Sequence, residues 1–369
     1  MAIEVGTGDY RYRIIENWAQ LPEGWSFKEV AAVGVDKNDN VYAFGRGEHP
    51  MMIFDRTGKF LRSWGEGQYP RAHGVHMGPD ESIYLTDDGG HFVRKCRIED
   101  GKVLLELGVP GTPAPYLSGE PFNRCTHTAL SPKGEIYVSD GYGNARVHKY
   151  SPDGKLLFSW GEPGSDAGQF NLVHNICSDA DGWVYVADRE NHRIQVFDGN
   201  GKYETQWNNL HRPCGICMAY THKPVCYIGE ISVNRLNANL GPRVSIVDNN
   251  GKLLSRIGDP FAGTAPTSFI GPHGLAVDSH GDLYVGEVCW TLWPGQGEVY
   301  LRRSCQAVTG MGNLTGESAW RSSSGRATTG TASSRTGRNC PTAGRSRRSA
   351  RSAPTPTTMS MCSIAASTR

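Results

Sequence analysis

The sequence predicts an all-β fold, a six-bladed β-propeller over residues 31–300. Three observations predict it: an internal repeat found six times, the division of each repeat into four short strands, and a composition rich in glycine (46 residues) with only 20% charged residues. Repeats of about 40–50 residues, each holding four strands, are propeller blades. No stretch with helical periodicity competes in this region.

The repeat units begin at Ala31 (AAVGVDKNDNVYAFG), His73 (HGVHMGPDESIYLTD), Thr126 (THTALSPKGEIYVSD), His174 (HNICSDADGWVYVAD), Cys214 (CGICMAYTHKPVCYIGE) and His273 (HGLAVDSHGDLYVGE). A tyrosine follows the first position by eleven residues in five of them, at Tyr42, Tyr84, Tyr137, Tyr185 and Tyr284; the fifth unit, two residues longer, places Tyr227 there. The second halves, such as RVHKYSPDGKLLFSWG, RIQVFDGNGKYETQWN and RVSIVDNNGKLLSRIG, read as two strands around a tight hairpin turn. A propeller must close its ring. The segment YRYRIIENW (10–18) alternates like a strand, and its place before the first unit predicts the outer strand of the last blade.

Three regions follow: an N-terminal segment (1–30) with the closing strand, the propeller (31–300), and a Ser/Thr/Arg/Gly-rich tail (301–369). The tail carries 11 Arg, no Lys and one Glu, a net +10, so the first 300 residues carry −9. With few large apolar residues the tail cannot bury enough surface to offset the entropy of ordering, and disorder is expected. One reading is a basic tail able to touch nucleic acid. The preferred one is a reading-frame shift near residue 300, because the tail begins where the last unit still needs its third strand.

The acidic body argues against nucleic acid as a partner of the propeller. No run of 18 apolar residues suggests a membrane span, and the first residues lack the apolar core of a secretory signal. The expectation is therefore a cytoplasmic monomer with reduced cysteines. Cys214 and Cys217 have CxxC spacing, but on an inner strand, where a redox role is not expected.

In a propeller the first strand of each blade lines the central channel, so the first repeat position faces the axis. Those positions hold Ala31, His73, Thr126, His174, Cys214 and His273. The histidines fall on alternate units, roughly 120° apart in a six-membered ring. Three imidazoles at one repeat phase suit a divalent metal: zinc by default, another divalent metal being compatible with the ligand type. Four residues after the repeat tyrosine come Arg46 and Arg189, on opposite units, and Tyr142 lies one residue later in the third unit. Two guanidinium groups facing a metal suit a substrate with a carboxylate, small molecule or peptide. A tyrosine there can serve as a base. Ligand type alone leaves two other classes open, a non-catalytic interaction module and a metal-dependent hydrolase.

The motifs FGRGEH around Arg46, HGV at His73, SDGYGNARV around Tyr142, GQFNLVHN at His174, ADRENHRIQVF around Arg189 and PHGLAVD at His273 carry a family resemblance. The chain resembles peptidyl-α-hydroxyglycine α-amidating lyases and their bacterial relatives with NHL repeats, over roughly residues 30–290. The resemblance implies that His73, His174 and His273 bind zinc and that Tyr142, Arg46 and Arg189 line the active site. It further implies a carbon–nitrogen lyase that cleaves a carbinolamide to a peptide amide and glyoxylate. In the animal enzymes an aspartate after the third zinc histidine helps hold calcium. Gly274 stands there in this chain, which puts calcium in doubt.

Overall fold

The computed structural model describes residues 3–220, 223–232 and 240–292, and the backbone of 308–313. Among them are five four-stranded antiparallel sheets, each a regular blade built in chain order. The first holds β3 (Val30–Val35), β4 (Val41–Gly45), β5 (Met51–Phe54) and β6 (Phe60–Trp64). The second holds β7 (Ala72–Met77), β8 (Ser82–Asp87), β9 (Phe92–Arg97) and β10 (Val103–Gly108). The third runs from β11 (Cys125–Leu130) through β12 (Ile136–Asp140) and β13 (Arg146–Tyr150) to β14 (Leu156–Trp160). The fourth comprises β15 (Val173–Ser178), β16 (Val184–Asp188), β17 (Arg193–Phe197) and β18 (Tyr203–Trp207), and the fifth β19 (Pro213–Ala219), β20 (Val225–Glu230), β21 (Arg243–Asp248) and β22 (Leu253–Ile257).

The expectation of six like blades is corrected by the remaining sheet. It is not a sixth four-stranded blade but a five-stranded composite in the order β1, β2, β25, β24, β23. It combines β1 (Glu4–Thr7) and β2 (Tyr10–Ile15) from the N-terminus, β23 (Pro272–Val277) and β24 (Leu283–Glu287) from the last repeat, and β25 (Val308–Asn313). The predicted closing strand is therefore present as β2, but a further strand lies outside it. The physical reason is ring closure: the edge left open by β24 pairs first with β25, and β2 then pairs with β25. The third strand comes from within the tail, so the disorder expected of the whole tail does not hold for Val308–Asn313. The rest of the tail lies outside the described residues. Among the described residues, no helix is long and apolar enough to cross a membrane.

The strands form because apolar residues alternate or run continuously where both faces are covered. The inner two strands of each blade are almost wholly buried, and outer strands such as β10 and β14 are largely exposed. Core clusters sit between neighbouring sheets. One packs Ala32, Tyr42, Phe44 and Met51 of the first blade on Ala72, Val75 and Leu85 of the second. Turns are fixed by aspartates: Asp198 accepts the N–H of Asn200 and Lys202, and Asp248 repeats this with Asn250 and Lys252. The repeat tyrosines are structural. Tyr185 and Tyr284 bond Asp179 and Asp278, and Tyr227 shares a 2.7 Å hydrogen bond with Tyr12 of the closing sheet.

Among cysteines, Cys96, Cys125, Cys177, Cys214, Cys217 and Cys226 are free, while Cys289 of the short helix α1 (Cys289–Leu292) is in a disulfide.

Candidate functional site

The first repeat position is built the same way in every sheet. Pairing of the first strand with the second slips register between Val30 and Ala32, Ala72 and Gly74, Cys125 and His127, Val173 and Asn175, Pro213 and Gly215, and Pro272 and Gly274. The residue skipped is Ala31, His73, Thr126, His174, Cys214 or His273. A β-bulge leaves its extra residue unpaired and re-aims its side chain. Here the bulges bring His73, His174 and His273 together at one point.

In five of the six sheets the segment entering the bulge is held by a carboxylate three residues after the repeat tyrosine; the first sheet has Gly45 there. Asp87 accepts the N–H of Arg71, Asp140 that of Asn123, and Asp188 that of Asn171; Glu287 accepts those of Ile270 and Gly271. These buried acceptors explain why acidic residues recur at that phase.

His73, His174 and His273 are all buried, with ring centroids 4.8–4.9 Å apart. Each is oriented by the neighbouring sheet. The Nδ1 of His73 donates to the carbonyl of Thr126 (2.7 Å), that of His174 to Cys214 (2.9 Å) and that of His273 to Ala31 (2.6 Å). The three non-histidine positions thus supply backbone acceptors to the three histidine positions. With Nδ1–H committed to a carbonyl, the lone pair is on Nε2, the tautomer that outer acceptors fix in metal-binding histidines. Burial, together with Arg46 or Arg189, pushes all three imidazoles well below their ordinary range, so they are neutral. Their ligand atoms lie within 4.8 Å of one another. Three neutral, converging imidazoles fit a divalent cation such as zinc.

Tyr142 reaches the same point. Its hydroxyl lies 3.2 Å from His73 Nε2 and 3.1 Å from His174 Nε2. Gly141 permits this: a Cβ there would collide with the Val173 carbonyl, so only glycine lets the chain cross the fourth blade at that height. Burial pushes the Tyr142 hydroxyl up, against the pull of Arg189 and Arg46.

The two arginines are already engaged. Arg46 gives Nε to the Ala72 carbonyl (2.9 Å) and Nη1 to buried Glu29 (2.8 Å). Arg189, in the 3-10 turn Arg189–Asn191, gives Nε to Glu190 (2.9 Å), and its guanidinium lies 5.6 Å from the Tyr142 ring. Cys214 Sγ is 3.3 Å from His174 Nδ1, and burial raises the thiol to about 12, so it is not a thiolate.

Sequence reasoning missed three more arginines. Arg71, Arg124 and Arg212 each sit two residues before a first repeat position. Arg71 and Arg124 share Asp88, and Arg212 joins Arg189 on Glu190. Arg124 lies over the Tyr142 ring at 4.5 Å. The signal available was phase: the position two before the repeat start holds Glu29, Arg71, Arg124 and Arg212 in four units.

An NHL repeat family model matches residues 170–197, which cover the first three strands of the fourth blade. Mouse NHL repeat-containing protein 3 is 31% identical over 297 residues, which cover 76% of this chain and 82% of that protein. The chain belongs to the NHL-repeat family. This NHL-repeat protein is also similar to the Drosophila melanogaster peptidyl-alpha-hydroxyglycine alpha-amidating lyase 1, 32% identical over 250 residues. That match covers 63% of this chain and 45% of the fly protein's length. A Xanthomonas campestris gluconolactonase structure shares the fold at TM-score 0.54 with 11% identity, covering 83% of this chain and 90% of its own.

Proposed function

We propose that this NHL-repeat protein is a metal-dependent carbon–nitrogen lyase that converts an α-hydroxyglycine-type carbinolamide to an amide and glyoxylate. The observation that carries the reading is Tyr142 Oη within 3.2 Å of two histidine Nε2 atoms that a third histidine joins. An acid–base group at a ligand triad is what this cleavage requires.

The reaction moves one proton and breaks one bond. The carbinol hydroxyl proton passes to Tyr142, acting as the phenolate, and the oxygen's electron pair forms the aldehyde. The C–N bond breaks with its pair on nitrogen, and nitrogen takes up a proton from Tyr142. No oxidant is consumed. A divalent cation at His73, His174 and His273 would polarise the substrate's oxygen and add its charge beside the phenol. Arg189 and Arg46 flank Tyr142 and pull its pKa down. Arg189 holds the α-carboxylate, with Arg46 behind it.

The test is glyoxylate release from α-hydroxyhippurate. The wild-type protein is expected to release glyoxylate and benzamide in equal amounts. Tyr142→Phe is expected to lower kcat by about 10²–10⁴-fold, the usual contribution of a positioned acid–base group. Unchanged activity in that variant removes tyrosine from the mechanism. No glyoxylate and no bound metal together would leave a non-catalytic binding propeller.

A further inference from the structure

Arg71 and Arg124 form an arrangement the reaction above does not use. Both contact the same oxygen of one carboxylate, Asp88 Oδ2: Arg71 through Nη1, and Arg124 through Nε (3.2 Å) and Nη2 (2.7 Å). Asp88 is fully buried and its other oxygen, Oδ1, has no partner among the described residues. The adjacent Asp87 is taken up by backbone N–H groups of Arg71 and Gly90. Two guanidinium groups on one carboxylate leave one positive charge with no carboxylate in contact.

Accessibility separates this pair from the other arginines. The side chains of Arg71 and Arg124 are 32% and 41% exposed, against 8% for Arg46 and 10% for Arg189. Nε and Nη2 of Arg71 and Nη1 of Arg124 have no partner among the described residues. A guanidinium with outward donors matches a carboxylate. The pair also lies beside the reacting point. Arg124 stacks over Tyr142, and Arg71 is two residues from His73.

We infer that Arg71 and Arg124, held by Asp88, are a second anion clamp that selects substrates whose acyl group carries its own carboxylate. This rests on the lyase reading for what the first carboxylate does: Arg189 holds that of the glycine portion. The substrate class is an N-acyl-α-hydroxyglycine with an acidic acyl chain, or an acidic peptide of the same kind. Asp88 competes with the ligand for the two guanidinium groups, and an amide oxygen in its place would still accept from both.

The test uses two unreactive probes on the full chain, N-acetylglycine with one negative charge and N-succinylglycine with two, titrated by calorimetry with zinc present. The dianion is expected to bind about tenfold or more tighter, the scale of one charge-assisted contact. Arg124→Gln is expected to reduce that ratio to near one. Arg97→Gln, which removes the same charge from an exposed pair with Asp100, is expected to leave it. Asp88→Asn separates the clamp from a merely structural ion pair: relief of the competing carboxylate raises dianion affinity, whereas a structural role lowers or abolishes it. No preference in the wild type, equal weakening of both probes by Arg124→Gln, or loss of dianion binding in Asp88→Asn overturns the inference. Glyoxylate release from α-hydroxyhippurate distinguishes the two claims. Release without a dianion preference removes only the clamp, and a dianion preference without release removes only the lyase reading.

Discussion

The sheets that carry His73 and His174 and the sheet that carries His273 present the same side chain by different means. The second and fourth blades are continuous four-stranded meanders, each complete within about 35 residues of its own first strand. The closing sheet takes strands from three distant segments, with β2 reaching β24 only through β25. Yet the bulge, the buried Nδ1–carbonyl bond and the convergence on the axis are the same in all three. The local code for the ligand lies in the repeat, whereas its position in space depends on ring closure. The third histidine should therefore be the one that damage far away in sequence can displace.

Tyr12→Ala should give the largest effect. Tyr12 is buried in the closing sheet's core and bonds Tyr227 of the fifth blade. Removing a buried aromatic costs about 3–5 kcal/mol, and urea unfolding should show it. Tyr10, half-buried on the same strand, is the milder control. Equal stability of wild type and Tyr12→Ala would mean that β2 does not hold the ring shut.

Gly274→Ala comes next. The added Cβ meets the Ala32 backbone, while the same position in the fourth blade already carries Asn175. A forced shift in a packed interior costs about 1–3 kcal/mol. It should also weaken metal binding by moving His273 away from the first blade. A variant as stable as wild type with unchanged zinc affinity would break the asymmetry.

A third effect depends on pH. Burial raises Glu287 of the closing sheet to about 7, above its ordinary 4.5, against the pull of two backbone N–H groups. The folded state therefore keeps a proton that the unfolded chain loses. Stability from this group is fully present below about pH 4.5 and falls as pH rises through 7, by on the order of 1–3 kcal/mol. Glu287→Gln should remove that slope from a plot of Tm against pH. A slope unchanged in the variant assigns it elsewhere.

Much of this was legible in the sequence because a repeat converts position into geometry. His73, His174 and His273 share a phase, and so do Arg46 and Arg189. What stayed hidden depends on pairing across distance or on backbone shape. β25 is six residues, VTGMGN, without an alternating pattern, inside a segment whose composition reads as unstructured. β1 needs β2 as its template. Repeat phase marks Arg71 and Arg124, but their pairing through Asp88 does not show in the chain: Arg71 and Asp88 belong to one blade and Arg124 to the next, a contact that no spacing announces.

The most direct test of the central claim is zinc titration into metal-stripped protein. One zinc per chain should bind the wild type, and His73→Ala, His174→Ala and His273→Ala should each lose tight binding to a similar degree, despite the different construction of their sheets. Retention of wild-type affinity in His273→Ala, or no zinc binding by the wild type, would contradict a site made by all three histidines.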